Sequence, residues 1–374
     1  MDFSFTAEQE LLRDTVTEFL TARYQLESSR AAARLGAGWQ PELWRSLAEE
    51  VGILGAALPE SVGGIGGGPV EIMVIAEALG AALVVEPYVD TVVVGGGLLS
   101  RATGKRAEDL LSGIAEGAVI TGFAALEAHS GYDYAKVATV ARRDGDGWVL
   151  TGVKTVVTSA PLATHLLVTA QLDGENALFV VDVDPAAPPA GLRAQSFRTI
   201  DERQAADLTF EELRLPADAL LLERADEAIA ATIDEAIAAV CAETVGAMRR
   251  VLAETVEYTK SRQQFGVPIA SFQALQHRMV NMHLELEQAI AATYLVTLKL
   301  TAEPAERAKA AAAAKATIGR AARLIGQEAV QLHGAMGMTE ELAIGHFFKR
   351  LTAVQYEYGT TAHHTARYAA LTRS

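Results

Sequence analysis

The stretch Tyr258-Thr-Lys-Ser-Arg-Gln-Gln-Phe-Gly-Val-Pro-Ile-Ala-Ser-Phe-Gln273 decides how the chain is read. It ends one long helical pattern, turns at Gly266, uses Pro268 as a first-turn residue and starts another helix. At the turn stands Arg262, whose rigid fork of donors suits a phosphate or pyrophosphate. Further along, Gln331-Leu-His-Gly-Ala-Met-Gly-Met-Thr-Glu340 spaces two glycines so that backbone can approach a flat ligand closely.

Composition narrows the setting. The 374 residues are 50% hydrophobic and 21% charged, enough chain for a large core and two or three domains. A net charge of -15 argues against non-specific nucleic-acid binding and against adsorption to anionic membranes. Cys241 is the sole cysteine, so there is no disulfide framework and no thiolate metal site. Between Val240 and Ala242 it reads as a small buried hydrophobe. The histidines show no metal spacing, and no metal is expected. The segment Met1-Asp-Phe-Ser-Phe-Thr-Ala-Glu-Gln-Glu10 lacks the basic and apolar regions of a signal peptide. The most apolar region, 70–99, is interrupted by Glu77, Glu86, Pro87 and Asp90, which suits a buried helix pair and not a membrane span. A soluble, cytoplasmic protein is expected.

Texture along the chain gives the organisation. Thr6-Ala-Glu-Gln9 is a capping-box pattern, followed at helical spacing by Leu11, Leu12, Val16, Phe19 and Leu20. A second helix should begin near Pro41. The glycine-rich run Leu58–Gly68 matches neither a P-loop nor a Rossmann turn and reads as an inter-helix loop. Helices over 69–82, 86–103 and 105–116 complete an all-α first third. The pattern then turns to β: a hairpin signal at Asp144-Gly-Asp-Gly147, strands at 166–170 and 178–183 split by Asp173-Gly174, and a last strand at 208–215 stopped by Pro216. Asp184-Pro-Ala-Ala-Pro-Pro189 is a rigid connection. Beyond about 223 the chain is helical again. Leu275, Met279, Met282, Leu286 and Ile290 make one apolar stripe, and Glu303-Pro304 separates that helix from an alanine-rich one running to Gln331. The expected fold is α+β and mostly α. It comprises an N-terminal helical domain (1–118), a middle β domain (119–222) and a C-terminal four-helix bundle (223–374) that also packs against other subunits.

Arg262-Gln-Gln-Phe-Gly-x-Pro-Ile-x-x-Phe-Gln273 and Gln331-x-His-Gly-x-x-Gly-Met-Thr339 resemble the two FAD signatures of the acyl-CoA dehydrogenase family. The resemblance spans nearly the whole chain and implies the same order of α, β and α domains. Within the family, the chain looks most like small subunits of pimeloyl-CoA-type dehydrogenases. Alone, Arg262 could be a surface residue paired with Glu257 or a nearby acid. Within its motif, the resemblance puts it on the FAD pyrophosphate, Phe265 against the cofactor and Gln273 at the neighbouring subunit's FAD. Gln331, Gly334 and Gly337 match the segment that meets the adenosine half across a dimer interface, with Ala335 where a second glycine is usual. Thr151-Gly-Val-Lys-Thr-Val-Val-Thr-Ser159 resembles the β-domain segment beside the flavin ring. Thr155 or Val156 replaces its aromatic there, and Thr158 and Ser159 would be donors to the ring edge. Ala125-Leu-Glu-Ala-His-Ser-Gly-Tyr-Asp133 weakly resembles the loop at the thioester.

The reaction so implied removes an α-proton from an acyl-CoA while a hydride leaves Cβ for the flavin, with electron-transferring flavoprotein as acceptor. It calls for a carboxylate base. The family places that base at one of two positions, which fall here on Tyr358 and Ala236. Glu357, one residue away in Tyr356-Glu-Tyr-Gly-Thr360, is the candidate within this chain; Asp234 and Glu235 lie just before the other position. Three readings remain open. The chain could be a dehydrogenase subunit paired with a base-bearing homologue, a non-catalytic subunit completing a partner's flavin site, or a flavin oxidase or monooxygenase on the same fold.

Overall fold

The structure, a computed structural model, describes residues 5–35, 37–184 and 187–373. Residues 1–4 of the N-terminal reading and 185–186 of the proline-rich connection lie outside the described residues. In chain order come α1 (Ala7–Arg23), α2 (Leu26–Leu35), α3 (Pro41–Glu49) and α4 (Pro69–Ala82). A π-helical segment, Val89–Gly95, runs into α5 (Gly96–Leu99), and α6 (Lys105–Ala115) follows. The strands are β1 (Thr121–Ala124), β2 (Val140–Asp144), β3 (Gly147–Thr158), β4 (His165–Leu172), β5 (Glu175–Asp182), β6 (Leu192–Arg198), β7 (Gln204–Leu215) and β8 (Leu220–Leu222). Then come α7 (Asp226–Ser261), a small hairpin of β9 (Gln263–Gln264) and β10 (Val267–Pro268), α8 (Gln273–Lys299), α9 (Pro304–His333), α10 (Ala343–Ala353) and α11 (Thr361–Arg373). The α+β, mostly α architecture is as expected. By packing, the chain divides into two compact units: Met1–Ser28 with Pro69–Val84 and Ile237–Ser374, and Ser29–Gly68 with Val85–Ala236.

The second unit holds the sheet, in the order β6-β7-β3-β2-β4-β5-β8 with β1 beside β4. Asp144 pairs with Gly147, so Gly145-Asp146 makes the tight hairpin that the sequence predicts. Leu172 pairs with Glu175, and Asp173 (φ 52) and Gly174 (φ 90) both take the left-handed conformation of a primed turn. Trp148, Leu150, Phe179 and Phe210 fill the sheet's core, with Trp148 edge-on to Phe179 at 5.5 Å. Sequence reading missed β1, β6 and β8, and also α2. β6 is an edge strand exposed along nearly all its length, so it carries little apolar alternation to read. The loop at 58–68 spends its amides on its own and the immediately preceding carbonyls, Gly66 on Leu58 and Ile65 on Gly55. That bears out the inter-helix reading.

In the first unit, Thr6 and Gln9 close the capping box on α1. Gly80 of α4 and Gly246 of α7 permit a contact no other residue would allow. A Cβ on either would lie 1.9 Å from a carbonyl oxygen, of Glu243 and Glu77 respectively. The α8 stripe faces inward as expected, with Met282, Leu286 and Ile290 buried. A second α8 stripe of Val280, Leu284, Leu295 and Leu298 is about half exposed and falls within about 60° of arc at 100° per residue. Among the described residues no helix is long and apolar enough to cross a membrane.

Candidate functional site

The quoted stretch folds as a helix end, a tight hairpin and a new helix. Gln264 pairs with Val267, leaving Phe265 (φ 55) and Gly266 (φ 82) as the two left-handed turn residues. Glycine adopts that conformation freely; a phenylalanine pays about 1–2 kcal/mol for it. Phe265 is nonetheless 92% exposed, so burial within the chain does not offset the cost. Pro268 does not open α8. It ends β10 and precedes a single 3₁₀ turn, Ile269–Ser271, and the helix begins at Gln273. Glu257 pairs with Lys260 at 2.7 Å, so the reading of Arg262 as its surface partner does not hold. Arg262 is exposed, and among the described residues its guanidinium forms no ion pair or hydrogen bond.

The second signature lies at the same end of this bundle. The Tyr258 ring stacks on His333 at 4.2 Å, and its hydroxyl donates to the His333 carbonyl at 3.3 Å. Gly334 (φ 61) ends α9 with nothing within 4 Å of where a side chain would begin. Gly337 has a different reason to be glycine: a Cβ there would meet Val330 O at 2.9 Å and the His333 side chain at 3.1 Å. Gln273, Gln331 and Ala335 are exposed. A lone guanidinium, a strained exposed aromatic and an open glycine at one end of a bundle are groups suited to a flat, pyrophosphate-bearing ligand such as FAD.

In the sheet unit, Thr158 closes β3 and Ser159 follows at φ 60. Their hydroxyls are already committed. Thr158 Oγ1 donates to Asp90 Oδ1 at 2.9 Å, and Ser159 Oγ donates to Asp90 Oδ2. With these bonds made, neither hydroxyl donates outward, contrary to the expectation of donors at a ring edge. Val156, at a register shift in β3, has φ 52 and is 56% exposed; it and Thr155 are the two positions at which the resemblance would put an aromatic. The 125–133 loop is anchored by Glu127, which accepts from Ala138 N, Thr139 N, Thr139 Oγ1 and, at 2.8 Å, the fully buried Lys154 Nζ. Burial drives the Lys154 pKa down to about 8 against the opposing pull of Glu127. For Glu127, burial pushes upward, but its bonds from Lys154 and Thr139 bring it below the usual carboxylate range.

The acid expected as base is held by a cation. Arg350, buried, reaches Glu243 Oε1 through Nε at 2.8 Å, and its two terminal nitrogens donate one to each Glu357 oxygen. A carboxylate gripped this way has its oxygens occupied and its charge stabilised, the opposite of what a proton acceptor needs. Tyr358 stands beside it at φ 53. At the other position Ala236 is fully buried, Glu235 is paired with Arg101 at 2.5 Å and Asp234 is buried.

Three family models match in succession: acyl-CoA dehydrogenase N-terminal domain over residues 6–118, middle domain over 122–213 and C-terminal domain over 227–370. Acyl-CoA dehydrogenase FadE12 of Mycobacterium tuberculosis is 30% identical over 364 residues, covering 92% of this chain and 90% of its own. The chain belongs to the acyl-CoA dehydrogenase family. Among solved structures, the Tcur3481-Tcur3483 steroid ACAD superposes with TM-score 0.88 at 29% identity, covering 98% of both chains. A glutaryl-CoA dehydrogenase from Mycobacterium smegmatis in complex with FADH2 gives 0.88 at 26%, covering 99% of this chain and 96% of its own. This acyl-CoA dehydrogenase is thus an FAD-dependent oxidoreductase acting on acyl-CoA.

Three residues of this acyl-CoA dehydrogenase escaped the sequence reading: Asp90, Lys154 and Arg350. Asp90 registered only as a charge interrupting an apolar run. A charge in such a run is itself a signal, because burial without a partner is costly. Lys154 and Arg350 sit among ordinary helix and strand residues and carry no such mark.

Proposed function

We propose that this chain is the flavin-holding subunit of a hetero-oligomeric acyl-CoA dehydrogenase whose catalytic base comes from a homologous partner subunit. Arg262 would bind the FAD pyrophosphate, Phe265 would cover the cofactor, and Gln273, Gln331 and Gly334 would meet it across the subunit boundary. Thr158 and Ser159 would lie at the flavin edge. FAD, when bound, supplies the acceptor for the hydride leaving Cβ. What this chain's residues do is bind, orient and exclude water; the α-proton needs a carboxylate that is free to take it.

One observation carries the reading: both oxygens of Glu357 are held by Arg350, beside a tyrosine at the usual base position. The half-exposed α8 stripe supports assembly, since four aliphatic side chains on one helix face favour covering by another subunit. The pairing of two proteins in the related steroid ACAD agrees with a heteromer. Electron-transferring flavoprotein is the acceptor the family resemblance implies.

The test is co-expression with homologous subunits, intact-mass measurement of the complex, and dye-coupled anaerobic turnover of complex and isolated chain over a panel of acyl-CoAs. The isolated chain should be inert and the complex active. Turnover by the isolated chain at the rate of the complex would overturn the proposal. Oxygen consumption in place of dye reduction would favour an oxidase instead.

A further inference from the structure

The end of β3 meets the π-helical segment in an arrangement that the binding of a cofactor does not by itself require. Asp90 lies in the first turn of Val89–Gly95, and π-helical turns are rare and concentrate at functional sites. The segment is pinned to β1. Thr121 Oγ1 donates to the Asp90 carbonyl at 3.0 Å, and Thr121 N donates to Thr91 Oγ1 at 3.2 Å. Gly95 lets Thr121 come this close, because a Cβ there would sit 2.2 Å from its hydroxyl oxygen. Opposite, Ser159 accepts a left-handed backbone at φ 60 that turns the chain at this point. One carboxylate oxygen then accepts a hydrogen bond from the Thr158 hydroxyl and the other accepts one from that of Ser159.

A hydroxyl has one proton and two lone pairs. With both protons turned inward onto Asp90, the pair offers only acceptors outward, backed by a fixed negative charge. Such an edge tolerates a neutral or hydrogen-donating neighbour and opposes one that gains negative charge. We infer that Asp90 sets the polarity of the Thr158–Ser159 edge and thereby lowers the reduction potential of the flavin beside it. This rests on the proposal that Thr158 and Ser159 lie at the flavin edge. Asp90 is a positioning residue, acting through the two hydroxyls and through its charge.

The experiment uses the purified FAD-loaded protein in its natural assembly. Flavin content is measured by extraction, and the two-electron potential by equilibration with a reference dye. Asp90→Asn removes the charge, and its amide turns one hydroxyl proton outward. Both changes favour an electron-rich neighbour, so the equilibrium for reduction should rise at least about tenfold, roughly 30 mV for a two-electron couple. Ser159→Ala strips one donor from Asp90 and leaves its charge less compensated, so the potential should fall. Opposite signs from two neighbouring variants are not the result of a structural role alone. With full flavin content, no change or a drop in Asp90→Asn overturns the inference. Should that variant fail to fold, no change or a rise in Ser159→Ala does so. Wild-type protein that binds no flavin would sink the cofactor placement itself, and this inference with it.

Discussion

Replacing Glu357 by glutamine separates two roles that a glutamate beside the usual base position could play. If Glu357 is the base, the change removes a proton acceptor, and turnover of the complex should drop by about 10²–10⁴. If it is a partner of Arg350, the cost falls on stability. Its side chain is 22% exposed and accepts from two guanidinium nitrogens. Hydrogen bonds to charged groups contribute about 1.5–3 kcal/mol each, and glutamine keeps part of one, so a loss of about 2 kcal/mol is reasonable. Arg350→Met goes further, because Glu243 and Glu357 both lose their guanidinium and Glu243 is only 5% exposed. Breaking a buried pair from one side costs about 3–5 kcal/mol. At roughly 2.1 cal/mol/K per residue, the 374 residues give an unfolding entropy near 0.8 kcal/mol/K. The expected Tm drops are therefore about 2–3 °C for Glu357→Gln and about 4–6 °C for Arg350→Met. Calorimetry and dye-coupled turnover of the same preparations read both axes. We expect Glu357→Gln to keep turnover within about threefold of wild type. A fall of a hundredfold or more with Tm moved by less than about 1 °C would refute this reasoning and make Glu357 the base.

Arg262→Ala should release FAD while leaving the stability of the flavin-free protein within about 0.5 kcal/mol of flavin-free wild type, because the side chain is exposed and unpaired among the described residues; a full flavin complement after gel filtration would count against its role. Aspartates in place of Leu284 and Leu295 should reduce the mass of the assembly by light scattering, and an unchanged mass would show that α8 is not an interface. Glu86, 4% exposed and bonded from Gln40 N at 3.1 Å, has its pKa pushed by burial from 4.5 to about 7. A raised acid favours the folded state while protonated, so its contribution is full below about pH 4.5 and is lost as pH rises through about 7. Glu86→Gln should therefore leave stability nearly unchanged at pH 4.5 and raise it by about 3 kcal/mol at pH 8.5; a difference independent of pH would refute the assignment.

How much of this was legible in the sequence depended on whether a residue's role was local. The Asp144–Gly147 and Asp173-Gly174 turns and the Thr6–Gln9 box are settled within four residues, and the structure has them where pattern placed them. The two signatures were legible as motifs, but the strain at Phe265 was not. Its cost comes from a left-handed φ in a two-residue turn, while the eye goes to Gly266. Helix α2 was hidden because its ten residues, Leu-Glu-Ser-Ser-Arg-Ala-Ala-Ala-Arg-Leu, are mostly polar or alanine and offer few large apolar side chains to read as a stripe. The fates of the acids depended on residues far away in the chain: Asp90 on 158 and 159, Glu235 on 101, Glu243 on 350. Glu77, another charge in the apolar 70–99 run, is satisfied by Arg249 at 2.7 Å. No spacing rule reaches across such separations, so sequence could flag these charges as needing partners without naming them.

The loop at 354–359 shows how a family position can change its chemistry without losing its shape. Lys315 is fully buried and donates to the Val354 and Gly359 carbonyls, each at 2.9 Å. His364 bonds the Tyr358 carbonyl at 2.8 Å, and burial pushes its pKa down to about 3, so the ring is neutral and Nε2 carries the proton it donates. Arg350 holds the loop through Glu357. Every one of these bonds ends on backbone or on Glu357, and none depends on which side chain residue 358 carries. Gly359, at φ 119, has the His363 and His364 rings within 3 Å of where a Cβ would sit, which fixes the turn just past that residue. The scaffold that would present a glutamate at 358 is therefore complete while the position itself is a tyrosine. On the proposed reading, a change at that one codon would remove the base from this subunit while leaving these bonds in place, which is the physical condition for a division of labour between paired subunits.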